Sequence, residues 1–142
     1  MDKNEIIEKL KVQHRELQQT LHLAHAYAVG NDREAAQKCF AQLSKFRTEI
    51  AEHLSLENGV FYPDYILLKT ARGESIEGTK KFIAEMDVIA KTALSFLDMY
   101  NSPEIISSAF DAYRAELQIV TSAINIRIEV EEDGVFGAYL VM

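Results

Sequence analysis

Cysteine is almost missing from this chain: Cys39 stands alone among 142 residues, so no internal disulfide can staple the fold and a packed core must hold it. No apolar run approaches the roughly 18 residues needed to span a bilayer. The opening MDKNEIIEKLKVQH has no apolar stretch of the kind that forms a signal peptide. A soluble cytoplasmic protein without membrane contact is therefore expected. Basic residues are scattered and the formal charge is −7, whereas a nucleic-acid surface needs clustered Lys and Arg, so no nucleic-acid partner is expected. Strand-like alternation, low-complexity tracts, short internal repeats, a Gly-rich phosphate loop, zinc-finger spacing and a supportable Ser-His-Asp arrangement are all lacking.

What is present is a 48 % hydrophobic chain, long enough to bury one core, and residues 1–142 read as a single domain. Punctuation divides it into four segments. Gly30 closes the first, and Asn31 with Glu34 reads as a capping box opening the second. Gly59 and Pro63 end or bend that one. The polar stretch Lys69 to Thr79 predicts a loop. Ser102 as N-cap with Pro103 at the first helical position opens the fourth, which runs to Gly134.

Within each segment apolar residues recur at steps of three and four, as on a helix with one buried seam. The seams read Ile7, Leu10, His14, Leu17, Leu21, Ala24, Ala28; then Ala36, Cys39, Leu43, Phe46, Ile50, His53, Glu57, Val60; then Phe82, Met86, Ile89, Ala93, Phe96, Tyr100; and finally Ile106, Phe110, Tyr113, Leu117, Val120, Ile124, Arg127, Glu131. Four long helices with short connections predict an all-α fold, an up-down-up-down antiparallel four-helix bundle. In it the start of helix 1, the end of helix 2, the start of helix 3 and the end of helix 4 share one end. His14, His53, Glu57, Met86, Arg127 and Glu131 come from those four stretches and are expected to meet on one layer of the core.

A buried charge must be paired, hydrogen-bonded or metal-bound. Imidazole and carboxylate groups on facing helices are how bundles build di-iron and di-manganese sites. His14, His53, Glu57 and Glu131 are therefore candidate metal ligands, with Asp87 or Glu85 turning inward to complete a single-metal set. Arg127 is expected to fork between Glu57 and Glu131 as an internal cation in place of the metal; its other reading is a stem along the seam with the head reaching solvent. Tyr62 is expected to donate a hydrogen bond into the layer, and Phe61, Tyr62, Tyr65, Phe136 and Tyr139 to pack over the same end. Glu129, Glu132 and Asp133 read as solvated. His22 and His25 lie off the seam, and Cys39 reads as a small core residue.

The segment EHLSLENGVFYPDY resembles the H-x-x-x-E-x-x-x-x-Y-P motif of the haemerythrin-like cation-binding domains, with His53, Glu57, Tyr62 and Pro63 in register. LKVQHRELQQTL places His14 like that family's first histidine, and RIEVEEDGVFGAY resembles its second H-x-x-x-E segment, with Glu131 as the carboxylate. The resemblance covers the whole chain. It implies a four-helix bundle with a non-haem di-iron centre, used for oxygen carriage, oxygen or redox sensing, iron sensing or repair of iron-sulfur centres. Two positions depart from it: Met86 and Arg127 stand where the family carries histidines, a pattern that resembles a divergent branch reading EM in helix 3 and RI in helix 4.

Three function classes follow. The first is a haemerythrin-like binding or sensing domain for oxygen, nitric oxide, iron or redox state, holding iron (mono- or dinuclear), another divalent metal, or none. The second is a metal-free bundle acting on an unidentified protein partner as monomer or homodimer. The third, a di-iron oxidoreductase, is disfavoured by the missing ligands.

Overall fold

Asp2 starts the first helix: its carboxylate accepts from the Glu5 N–H at 2.9 Å, and α1 runs Lys3–Tyr27. The computed structural model describes residues 1–142, and 87 % of them are helical with no strand. The second helix, α2, spans Arg33–Leu56 and continues through a π-helical turn, Glu57–Phe61, into α3, Tyr62–Ala71. α4 spans Glu77–Met99. The last stretch comprises α5, Pro103–Ser108, and α6, Phe110–Val130, then a second π-helical turn, Glu131–Val135, and α7, Phe136–Leu140.

Several boundaries differ from the sequence reading. The N-cap of α2 is Asp32, whose carboxylate accepts from Ala35 N–H at 2.8 Å; Asn31 instead accepts from Arg114. Gly30 is needed for close approach, since a Cβ there would lie 2.9 Å from that of Ala35. The loop expected from Lys69 to Thr79 shrinks to residues 72–76, because α3 ends in a Schellman turn: Gly73 takes φ +70° and Glu74 N–H bonds to Lys69 C=O at 2.9 Å. The fourth segment breaks at Ala109 (φ −146°, ψ 46°), where Ser108 Oγ donates back to Ile105 C=O. It then passes Gly134 and continues to Leu140.

The two π-helical turns explain both the bend at Pro63 and the run past Gly134. In each, an N–H reaches five residues back: Tyr62 to Glu57 C=O, and Phe136 to Glu131 C=O. Proline cannot bond to the carbonyl four residues back and clashes with it, so the widened turn admits Pro63 without breaking the helix. One extra residue per turn also shifts the seam. Val60, expected inside, is 39 % exposed, and Phe61 is buried in its place.

The seams otherwise hold: every residue of the first and fourth is buried, and in the third only Phe82 and Ile89 are partly covered. The apolar core is split in two. The larger cluster takes Leu17, Phe46, Ile50, Met86, Ile124 and Ile128 among others; the smaller takes Ile7, Leu10, Phe61, Tyr62, Phe136 and Tyr139. Between them, along α1, α2 and α6, fall the polar residues of the seams.

Candidate metal centre

His14, His53, Glu57 and Glu131 meet in that gap, and one ligand atom from each lies within 4.8 Å of the others. All four are buried, and Arg127, 5 % exposed, joins them. Both glutamates open a π-helical turn, and such turns recur at functional sites because they redirect side chains without ending the helix. His53 and Glu57 share a helix face one turn apart, with His53 Nε2 2.6 Å from Glu57 Oε2.

The imidazoles are held from behind. His14 Nδ1 lies 2.6 Å from Glu132 Oε2, and Glu132 is itself paired with Arg15. His53 Nδ1 lies 2.9 Å from Gln13 Oε1. In the tautomer whose Nδ1–H donates outward, each Nε2 is turned to the cluster: His14 Nε2 is 3.2 Å from Glu131 Oε1 and His53 Nε2 2.6 Å from Glu57 Oε2, distances at which a cation, either a proton or a metal ion, must lie between nitrogen and carboxylate. Histidines that hold metals are oriented in this way, by a carboxylate or carbonyl on the far nitrogen. The Nε2 of His14, both oxygens of Glu57, and Oε1 of Glu131 have no hydrogen-bond partner. Arg127 Nε, 3.8 Å from Glu131 Oε2, is the one unpartnered donor among them, and buried acceptors that outnumber their donors in this way fit a cation. Two imidazole nitrogens and two carboxylates make a donor set suited to one Fe(II), Mn(II) or Zn(II).

Arg127 does not fork between the carboxylates as the sequence reading expected. Its Nη2 is 3.7 Å from Glu57 Oε1 and its Nε 3.8 Å from Glu131 Oε2, ion-pair distances without hydrogen bonds. Instead Nη1 donates to Phe82 C=O at 2.7 Å and Nη2 to Tyr62 Oη at 3.2 Å, while the guanidinium carbon lies 3.2 Å from the centroid of the Phe82 ring. A planar cation stacked on an aromatic face is well placed there. The head stays inside, so the solvent-reaching alternative fails too. Tyr62 donates to Glu131 Oε2 at 2.7 Å, as expected.

Other expectations are corrected. Asp87 and Glu85 are exposed, and Asp87 pairs with Lys91 at 2.8 Å, so neither turns into the layer. Glu132, read as solvated, is partly buried against His14. Met86 belongs to the larger apolar cluster, one turn beyond Phe82. The sequence reading missed Gln13, Glu132 and Phe82. Gln13 and Glu132 each adjoin a residue it had placed, and such flanking positions are where a supporting group on the same helix stands.

The charges respond to burial. Burial opposes protonation of His14, but the adjoining Glu131 and Glu132 outweigh it and raise its pKa above 6.5. Burial, with the neighbouring His14 and Arg127, lowers His53 to about 4. Burial and repulsion from Glu57 raise Glu131, and burial beside two carboxylates keeps the Tyr62 phenol protonated.

A pH prediction follows from His53. The unfolded chain takes this proton near pH 6.5 and the folded one only near 4, so stability is lost as pH falls through that window, by roughly 3 kcal/mol in full. His14, with its pKa raised, acts only above pH 6.5, where stability falls as pH rises. Urea midpoints measured with chelator between pH 7 and 4.5 should drop, and His53→Gln should flatten the slope. An unchanged slope in that variant would remove the burial argument.

Comparison with protein-family models gives a match over residues 5–139 to the family described as Hemerythrin HHE cation binding domain. No curated protein and no solved structure matches the chain. No helix is long and apolar enough to cross a membrane. With nearly its whole length matched and a His-Glu cluster between two halves of a helical core, the chain belongs to the haemerythrin HHE cation-binding domain family.

Proposed function

We propose that this chain is a binding domain that holds one divalent metal ion through His14, His53, Glu57 and Glu131, on four long helical stretches arranged up-down-up-down. The observation that carries the reading is the orientation of the two imidazoles, with Nδ1 engaged by Glu132 and Gln13 and Nε2 left to the cluster. Fe(II), Mn(II) and Zn(II) suit the donors, and the bound ion would supply a Lewis-acidic centre able to accept a further small ligand.

The protein's own groups set its limits. Glu57 and Glu131 supply the carboxylates and Arg127 a permanent positive charge beside both, so part of the charge a metal would neutralise is already balanced before it enters. Arg127 is fixed by Phe82 and Tyr62 beside both carboxylates, and its charge repels a second cation in the same low-dielectric layer. Tyr62 holds one oxygen of Glu131. These features support a mononuclear site and a reading of binding or sensing over redox catalysis.

A second reading rests on the same arginine. Its ion pairs with both carboxylates at 3.7 and 3.8 Å support a metal-free bundle in which Arg127 is the internal cation and function is carried by a protein partner. Titration of chelator-treated protein with Fe(II) under anaerobic conditions, and separately with Zn(II) and Mn(II), decides between them. One equivalent per chain is expected for at least one ion, with His53→Ala weakening it by roughly 100-fold. No binding above that of the His53→Ala variant would leave the metal-free reading.

A further inference from the structure

Two cavities lie end to end along the seam between α4 and α6. One, about 310 Å³, is lined by Tyr62, Tyr65, Lys69, Thr79, Phe82 and Val130 among others. The next, about 260 Å³, is lined by Phe82, Glu85, Ile89, Ile126, Val130 and the stem of Arg127 among others. Phe82 and Val130 line both, so the two form one trough. From Thr79 to Ile89 it follows α4 for about 15 Å at 1.5 Å per residue.

The ends differ in charge. At one, Lys69 Nζ lies 3.4 Å from Thr79 Oγ1 and 5.1 Å from the centroid of the Tyr65 ring, with no carboxylate paired to it. Gly78 and Thr79 stand there in the first turn of α4, whose N-cap, Ile76, provides no side-chain acceptor, so the positive end of the helix adds to the lysine. At the other end the lining carries Glu85, which is exposed, and Arg127, whose guanidinium is turned inward to Phe82 C=O and Tyr62 Oη and leaves its stem along the trough. Between them the lining is apolar, and Ile126, 63 % exposed, continues it outward as a stripe with Ile119, Ala123 and Val130 on α6. Exposed apolar residues in register along a trough are unusual enough on a soluble surface to mark a binding site.

We propose that this trough binds a medium-chain aliphatic carboxylate of roughly ten to twelve carbons, matching the length of the helix it follows. The carboxylate sits at Lys69 and Thr79, and the chain lies across Phe82 and Val130 toward Ile89. Glu85 repels the reverse orientation, so the trough accepts an anionic head at one end only. The trough shares Tyr62, Phe82 and Arg127 with the polar layer, while Lys69, Thr79 and Ile89 lie outside it, so its test is run on chelator-treated protein and is separate from the metal titration.

Calorimetry with sodium decanoate below its micellar range should show one molecule bound per chain, with butyrate and decylammonium weaker by roughly tenfold or more. Lys69→Glu should weaken decanoate by a similar factor. Gly78→Leu fills the trough at a position where a Cβ meets no atom within 4 Å; it should keep helix content and melting temperature while abolishing uptake. Equal affinity for decylammonium, or decanoate binding unchanged by both variants, would overturn the proposal. So would sedimentation showing the α6 stripe closed in a dimer that takes up no decanoate, or binding only to anionic vesicles.

Discussion

Arg127→Met should destabilise the chelator-treated protein by about 3–5 kcal/mol, the cost of leaving buried charge without its counter-charge. The substitution keeps the volume of the stem but removes the hydrogen bonds to Phe82 C=O and Tyr62 Oη and the one permanent cation beside Glu57 and Glu131. Two buried carboxylates then face one another, and one must take up a proton or force the layer apart. A divalent ion supplies the missing charge. Saturating Zn(II) or Mn(II) should therefore restore most of the lost stability, and the variant should bind the ion more tightly than the parent because the cation-cation repulsion is gone. Chemical unfolding with and without metal measures both effects. Destabilisation without metal rescue would favour the metal-free reading; no destabilisation at all would show that Arg127 does not balance the layer.

Met86→His combined with Arg127→His should raise the stoichiometry from one metal ion to two. The resemblance places histidine ligands at these positions, and Arg127 stands on the layer beside both carboxylates while Met86 lies one turn beyond Phe82 on α4. The double change removes the charge that repels a second ion and adds two nitrogen donors, one on the layer and one a turn beyond Phe82, while Glu57 has a second oxygen to share and Glu131 Oε2 stays with Tyr62. Metal analysis after gel filtration reads the outcome directly. If the double variant holds no more metal than the parent, the assignment of these two positions fails. The single change Met86→His keeps Arg127 in place, and one equivalent is expected there, which separates ligand number from charge as the limiting factor.

Much of this molecule was legible before its structure. The seams of α1 and of the last stretch could be read residue by residue, because a 3.6-residue period fixes which side chains turn inward. The convergence of His14, His53, Glu57 and Glu131 followed from the direction of the helices alone. The errors cluster where the period itself changes. At Glu57–Phe61 and Glu131–Val135 each π-helical turn inserts one residue, so Val60 faced outward, Phe61 inward, and the last helix outran Gly134. Asp87 and Glu85 were misplaced for a different reason: the bundle needs only a narrow stripe of α4, filled by Met86 and its neighbours, and the flanking acids remain in water, where they cost least.

The sequence by itself determined the helical class, the buried faces and the set of polar side chains that share one layer, since these depend on periodicity and on the direction of each helix. Tertiary structure alone decided who touches whom within that layer. Arg127 had two carboxylates within reach and took the Phe82 carbonyl, the Tyr62 hydroxyl and the Phe82 ring, while Glu132 and Gln13, one residue away from predicted positions, became the groups that aim the imidazoles. The physical reason is one of scale. A helical period sets the angle of a side chain to within tens of degrees, but a hydrogen bond is made or lost over a few tenths of an ångström, and that distance is fixed only when all the helices have packed.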